Sequence, residues 1–169
     1  MAKNNFSAPV PALPAEPVPT VHTLLYIEDN RADLKLVERI IARHPNFRLL
    51  TAVTGSSGVE IARGSLPDVI LMDINLSDIS GFKALKILRS DPTTARIPVI
   101  ALSVNSLPLN IESGLEEGFF RYLVKPIKLD EFMDALGLAL AFAGKTSAKN
   151  RDGNSQKPAA DTALSLKQT

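Results

Sequence analysis

The sequence predicts an α/β domain: a five-stranded parallel sheet with helices on both faces, a doubly wound sandwich. Three observations point to it. Short apolar runs (Leu24-Leu25-Tyr26-Ile27, Val69-Ile70-Leu71-Met72, Val99-Ile100-Ala101-Leu102 and Tyr122-Leu123-Val124) show no polar alternation. Such runs read as strands buried on both faces, the mark of a parallel sheet. Segments of helical periodicity separate them, which is the order of a doubly wound fold. Each run also ends on a reactive side chain: Glu28-Asp29, Asp73, Ser103 and Lys125. In open parallel sheets, binding groups gather at the strands' carboxyl ends.

The elements follow in chain order. After the first strand, Asn30 can cap a helix that has Asp33 in its first turn. Leu34, Val37, Ile40 and Ile41 recur at helical spacing, and Pro45-Asn46 end the helix. Residues 47–53 form a second strand. Ser57 and Glu60 have capping-box spacing and start a second helix. Pro67-Asp68 lead into the third strand. Ser80 caps a third helix whose apolar face is Phe82, Leu85 and Leu88. Pro98 opens the fourth strand. A weaker fourth helix is expected over Pro108 to Glu116, broken by Gly118 before the fifth strand. Asp130 begins the last helix, with Phe132, Met133, Leu136 and Leu140 on one face. There is no internal repeat.

The 169 residues suffice for one domain with chain left over. Pro9, Pro11, Pro14, Pro17 and Pro19 mark residues 1–21 as an extended, disordered linker. The domain is expected over 22–143, and residues 144–169 as a disordered polar tail. No cysteine is present, so disulfides and thiolate metal sites are excluded. No apolar stretch is long enough to span a bilayer, and the first residues lack a signal-peptide pattern. A soluble, cytoplasmic protein without membrane contact is expected. Residues 22–143 hold 13 basic against 15 acidic residues. A polyanion-binding domain shows the opposite balance, so direct nucleic-acid binding is not expected. The basic residues of the tail (Lys145, Lys149, Arg151, Lys157, Lys167) read as a solvated end.

Glu28, Asp29 and Asp73 would place three negative charges together. Left alone they would repel and raise one another's pKa. Lys125 offsets one charge, and a hard divalent cation offsets two. Mg²⁺ suits such a site, because it takes oxygen ligands, keeps waters and uses one or two carboxylates beside a phosphate; Mn²⁺ is the second choice. An Asp carboxylate can act as nucleophile to form an aspartyl phosphate, and Asp73 is the natural candidate. Lys125 would bear charge on the phosphoryl oxygens, and Ser103 can donate to one of them. Taken singly, Asp29 or Asp73 would read as a cap or turn residue, Ser103 as structural, and Tyr122 as half-buried core. Their combination favours function.

Tyr26-Ile27-Glu28-Asp29-Asn30, Ile70-Leu71-Met72-Asp73-Ile74-Asn75, Ala101-Leu102-Ser103 and Tyr122-Leu123-Val124-Lys125-Pro126 together resemble the receiver domain of two-component response regulators. The stretch from Gly118 to Lys128 is similar to receivers of hybrid histidine kinases. The resemblance covers residues 22–143 and implies a flavodoxin-like (βα)5 fold with strand order 2-1-3-4-5. It implies that Asp73 is the phosphoacceptor, Asp29 a direct metal ligand and Glu28 its acidic neighbour. Asn75 would give a backbone carbonyl to the metal. Ser103 would be the switch hydroxyl, and Tyr122 the aromatic that turns inward after phosphorylation. Lys125 matches the pattern's lysine, whose bond to the following proline is usually cis.

The implied partners are a histidine kinase or histidine phosphotransfer protein, and a downstream protein met by the face of helix 4, strand 5 and helix 5. The implied activity is a signalling phosphoacceptor, which modifies itself and turns over no external substrate. His22 and His44 read as ordinary residues, so the phosphoryl group must come from a partner. Glu28 stands where Asp is commoner, Ser77 where Pro is frequent (a looser loop is expected), and Val104 where a small residue is usual. Three other readings compete. A magnesium-dependent aspartyl-phosphate phosphatase would want a second Asp at position 75, where Asn stands. A flavodoxin-like cofactor binder would place its phosphate against the repelling pair Glu28-Asp29. The third is a pseudo-receiver that only binds proteins.

Overall fold

The computed structural model describes residues 20–104, 112 and 114–152, with side chains as far as residue 145. Strands β1 (His22–Ile27), β2 (Phe47–Ala52), β3 (Val69–Asp73), β4 (Val99–Ser103) and β5 (Arg121–Val124) form one parallel sheet of order β2-β1-β3-β4-β5. Helices α1 (Arg31–Ile41), α2 (Gly55–Ser65) and α3 (Gly81–Ser90) alternate with the first four strands. Helical backbone at 112 and 114–116 belongs to α4. The rest of the helix expected from Pro108 lies outside the described residues. The chain closes with α5 (Leu129–Asp152). This is the flavodoxin-like sandwich.

The unbroken apolar runs have a simple cause. Successive strand residues point to opposite faces, and here both faces are covered. Leu25, Ile27, Ile70, Met72, Val99 and Ala101 face α2 and α3, against Val59, Ala62, Leu85 and Leu88. Leu24, Tyr26, Leu71, Ile100 and Leu102 face α1 and α5, against Leu34, Val37, Phe132 and Leu136. All five residues of β3 and of β4 are buried.

Register brings the strand ends level. Ile27 lies beside Met72 and Asp73 beside Leu102. Glu28 and Asp73 therefore leave adjacent strands at the same height. Asn30 caps α1, its side chain accepting from the amides of Ala32 at 2.8 Å and Asp33 at 3.4 Å. Ser80 caps α3 as expected. The cap of α2 differs from expectation. It is Thr54, and Ser57 closes a capping box as its third helical residue. The box Thr54-x-x-Ser57 lies one turn upstream of Ser57-x-x-Glu60, where Gly55 gave no sequence sign of helix.

Two glycines permit close approach near the site. A Cβ on Gly58 would lie 2.3 Å from Ile27 Cδ1, so α2 rests directly on β1. A Cβ on Gly81 would lie 2.6 Å from the Asp73 carbonyl oxygen, where the Gly81 amide donates to Ile74 O at 2.8 Å. The β3–α3 loop thus folds tightly under Asp73. It is also braced, since Asp78 accepts from the amides of Gly55 at 2.7 Å and Ser56 at 2.9 Å, on the first turn of α2. This brace counters the looseness expected from Ser77. At the opposite pole, the Arg89 guanidinium donates to the carbonyls of Ala95, Ile97 and Gly118, which joins α3 to the starts of β4 and β5.

Helix α5 continues to Asp152, beyond the limit of 143 set by composition. A helix nucleated by packed turns extends at little cost per residue. Among the described residues, no helix is long and apolar enough to cross a membrane.

Candidate functional site

At the carboxyl edge of the sheet, the β5–α5 loop carries Lys125 over the ends of β1 and β3. Its peptide bond to Pro126 is cis. Lys125 Nζ donates to Glu28 Oε2 at 2.7 Å, to Asp33 Oδ2 at 2.9 Å and, by a very short contact, to Asp73 Oδ2. One ammonium therefore gathers carboxylates from the end of β1, the first turn of α1 and the end of β3. The Lys125 side chain is 12% exposed, that of Asp73 8% and that of Glu28 0%.

The remaining oxygens are also engaged. Asp73 Oδ1 accepts from the Asn75 amide at 2.6 Å. Glu28 Oε1 accepts from the Asn30 amide at 3.1 Å, and Oε2 also accepts from the Tyr26 hydroxyl at 2.8 Å. Among the described residues, no buried side-chain nitrogen or oxygen lacks a partner. A buried polar cluster persists only under that condition.

Electrostatics follow from burial and partners. Burial pushes the Glu28 carboxyl up, against the lowering effect of hydrogen bonds from Lys125, Asn30 and Tyr26. For Lys125, burial works downward, but hydrogen bonds to Asp73, Glu28 and Asp33 outweigh it and hold the ammonium above its usual value. Burial and the nearby Glu28 charge keep the Tyr26 phenol protonated well beyond its usual range. Tyr26 is thus a hydrogen-bond donor at any ordinary pH.

Of the residues picked out in sequence, Glu28, Asp73 and Lys125 meet directly. Ser103 is buried at the end of β4, beside the β3 end. Asp29 is exposed and is not among the carboxylates that Lys125 Nζ bonds. Asn75 contributes its amide, and its side chain is exposed. Tyr122 is half-buried on β5 with its ring against α4; a Cβ on Gly114 would lie 2.9 Å from its Cδ2. Val104 is 71% exposed.

Two members of the cluster escaped sequence reasoning. Asp33 read only as an acid in the first turn of a helix, and Tyr26 as strand core. The spacing Tyr26-x-Glu28 was a usable signal, because alternate strand residues share a face.

Glu28, Asp33 and Asp73 set three negative charges against one positive. That excess and the all-oxygen donor set fit a hard divalent cation. Among the described residues, no three acidic or imidazole side chains would by themselves hold a metal. Magnesium needs no such cage, since it keeps waters and takes one or two carboxylates. Asp73, nearly buried at the strand end, and one acidic neighbour are the carboxylates that could hold it.

A family profile described as the response regulator receiver domain matches residues 24–137. The chain is 30% identical over 118 residues to protein PilH of Pseudomonas aeruginosa, covering 70% of this chain and 97% of that one. It is 30% identical over 114 residues to the polar-differentiation response regulator DivK of Brucella ovis, covering 68% and 92%. Among solved structures, the receiver domain of sensor histidine kinase PA1611 of Pseudomonas aeruginosa superposes with a TM-score of 0.64 at 29% identity, covering 74% of this chain and 99% of that one. That structure has a magnesium ion coordinated in its active-site cleft.

Proposed function

Because this chain belongs to the response regulator receiver domain family of two-component signalling, we propose that it accepts a phosphoryl group on Asp73 from a histidine of a partner kinase or phosphotransfer protein. One observation carries the reading: the Asp73 carboxylate is nearly buried at the carboxyl edge of the sheet, between the Lys125 ammonium and the Asn75 amide.

In the transfer, an Asp73 oxygen attacks phosphorus as the P–N bond to the donor imidazole breaks. The imidazole nitrogen keeps the electron pair, and an acyl phosphate remains on Asp73. Lys125 donates to a phosphoryl oxygen and disperses its charge. Ser103, at the neighbouring strand end, donates to another. Asp29, Asp73, Glu28 and the Asn75 carbonyl would hold Mg²⁺, which would supply positive charge beside the phosphoryl oxygens. Burial of Glu28 and Asp73 keeps the dielectric low, so each of these interactions counts for more than in water.

The phosphoryl signal leaves through the face of α4, β5 and α5, with Tyr122 as its aromatic reporter. Packing of Tyr122 against the α4 backbone at Gly114 supports this route. The test is incubation with acetyl phosphate and Mg²⁺. The wild type should gain one labile phosphoryl adduct by intact mass, and Asp73→Asn none. Equal labelling of both would overturn the assignment.

A further inference from the structure

We propose that Tyr26 is a positioning residue of this site, whose hydroxyl holds the Glu28 carboxylate in place when Lys125 changes partners. The inference rests on the reading of Asp73 as phosphoacceptor. Lys125 has three N–H bonds, and three carboxylates receive them: Glu28, Asp33 and Asp73. A phosphoryl group on Asp73 brings new anionic oxygens. Lys125 can donate to one only by releasing an acceptor it now holds.

The three acceptors differ in what release means. The Asp33 side chain is 32% exposed, so water can replace the lysine there. Asp73 is itself the phosphorylated group. Glu28 is wholly buried. With Lys125 withdrawn, and without Tyr26, the protein itself would leave it only the Asn30 amide at 3.1 Å on its other oxygen, whether or not a cation also binds it. A buried carboxylate that loses its cation is the expensive case.

Tyr26 prevents that outcome. Its hydroxyl reaches Glu28 Oε2 at 2.8 Å, the same oxygen that Lys125 uses. Its ring is fully buried in the apolar layer between the sheet and α1 with α5. An aromatic side chain packed this way cannot follow the lysine. Glu28 therefore keeps one fixed donor and its orientation, and Lys125 is free to turn. The role is separate from packing, because the ring alone fills the core.

Tyr26→Phe keeps the ring and removes the hydroxyl. Two measurements decide the matter: the initial rate of adduct formation with acetyl phosphate and Mg²⁺, and the affinity for beryllofluoride with Mg²⁺, a phosphoryl mimic, by calorimetry. Urea unfolding without ligand accompanies them. A hydrogen bond to a charged group predicts a rate and an affinity about tenfold lower in Tyr26→Phe. A Tyr26→Phe protein with unchanged rate and beryllofluoride affinity overturns the inference, whatever happens to its ligand-free stability, since only packing would then be at stake. A wild type that neither labels nor binds beryllofluoride would instead defeat the reading of Asp73.

Discussion

At the scale of single residues, Lys125 is the pivot of the site. It ties β1, α1 and β3 together through one nitrogen. Removing it leaves Glu28 buried and short of a cation, and leaves three like charges facing one another. Lys125→Ala is therefore expected to lose about 3 kcal/mol of stability, the figure for breaking a buried ion pair from one side. Urea unfolding in the presence of a chelator measures it, and a loss under about 1 kcal/mol would mean that the carboxylates relax toward solvent. The sign of the pH effect follows from the raised Lys125 value. Its contribution is complete below the unfolded lysine's pKa, about 10.4, and is lost only as pH rises through the folded value. Asp33 belongs to the same cluster, though as a sequence position it was only an acid in a helix's first turn. Nothing local to residues 30–33 announces a lysine that arrives from nearly a hundred residues away.

At the scale of elements, the brace between the β3–α3 loop and α2 is the feature most open to test. Hydrogen bonds from Ser56 and Gly55 hold the Asp78 carboxyl below the usual carboxylate range. A lowered folded value means stability that is present above about pH 4, the unfolded value, and lost as pH falls through the folded one. Asp78→Asn should thus be less stable than wild type at pH 7 by about 0.5 kcal/mol, a helix-capping effect reduced by solvent exposure. The gap should shrink in acid. Thermal midpoints of the two proteins at pH 7 and pH 3 check this, and a gap that grows on acidification would show that the amide, not the charge, is at fault. The cap of α2 illustrates why helix starts are the least legible part of a sequence. Thr54-x-x-Ser57 and Ser57-x-x-Glu60 are both plausible boxes, and the folded helix uses the first, with Gly58 against β1.

For the whole molecule, stability resides in two apolar layers that share one sheet. Phe132, fully buried, joins α5 to Leu71, Ile100 and Leu102. Phe132→Ala should cost about 3–5 kcal/mol, combining lost transfer energy with a cavity, at an unchanged denaturant slope. A much smaller loss would mean that α5 is loosely held and contributes little to the fold.

The periodicity of the chain alone determined the α/β class, the sequence of strands and helices, and the strand ends at which Glu28, Asp73, Ser103 and Lys125 stand. Those are local properties, because apolar runs and caps are written in neighbouring residues. The strand order 2-1-3-4-5 came from resemblance, and the pairing registers bear it out. Only the tertiary structure decided which carboxylates share Lys125, that Asp29 lies outside their hydrogen-bonded cluster while Asp33 lies inside it, and that the Tyr26 hydroxyl serves Glu28. The physical reason is that these bonds depend on side-chain direction and on the height of one strand end against the next. Both are set by how the sheet and its helices pack, and no short window of sequence contains them.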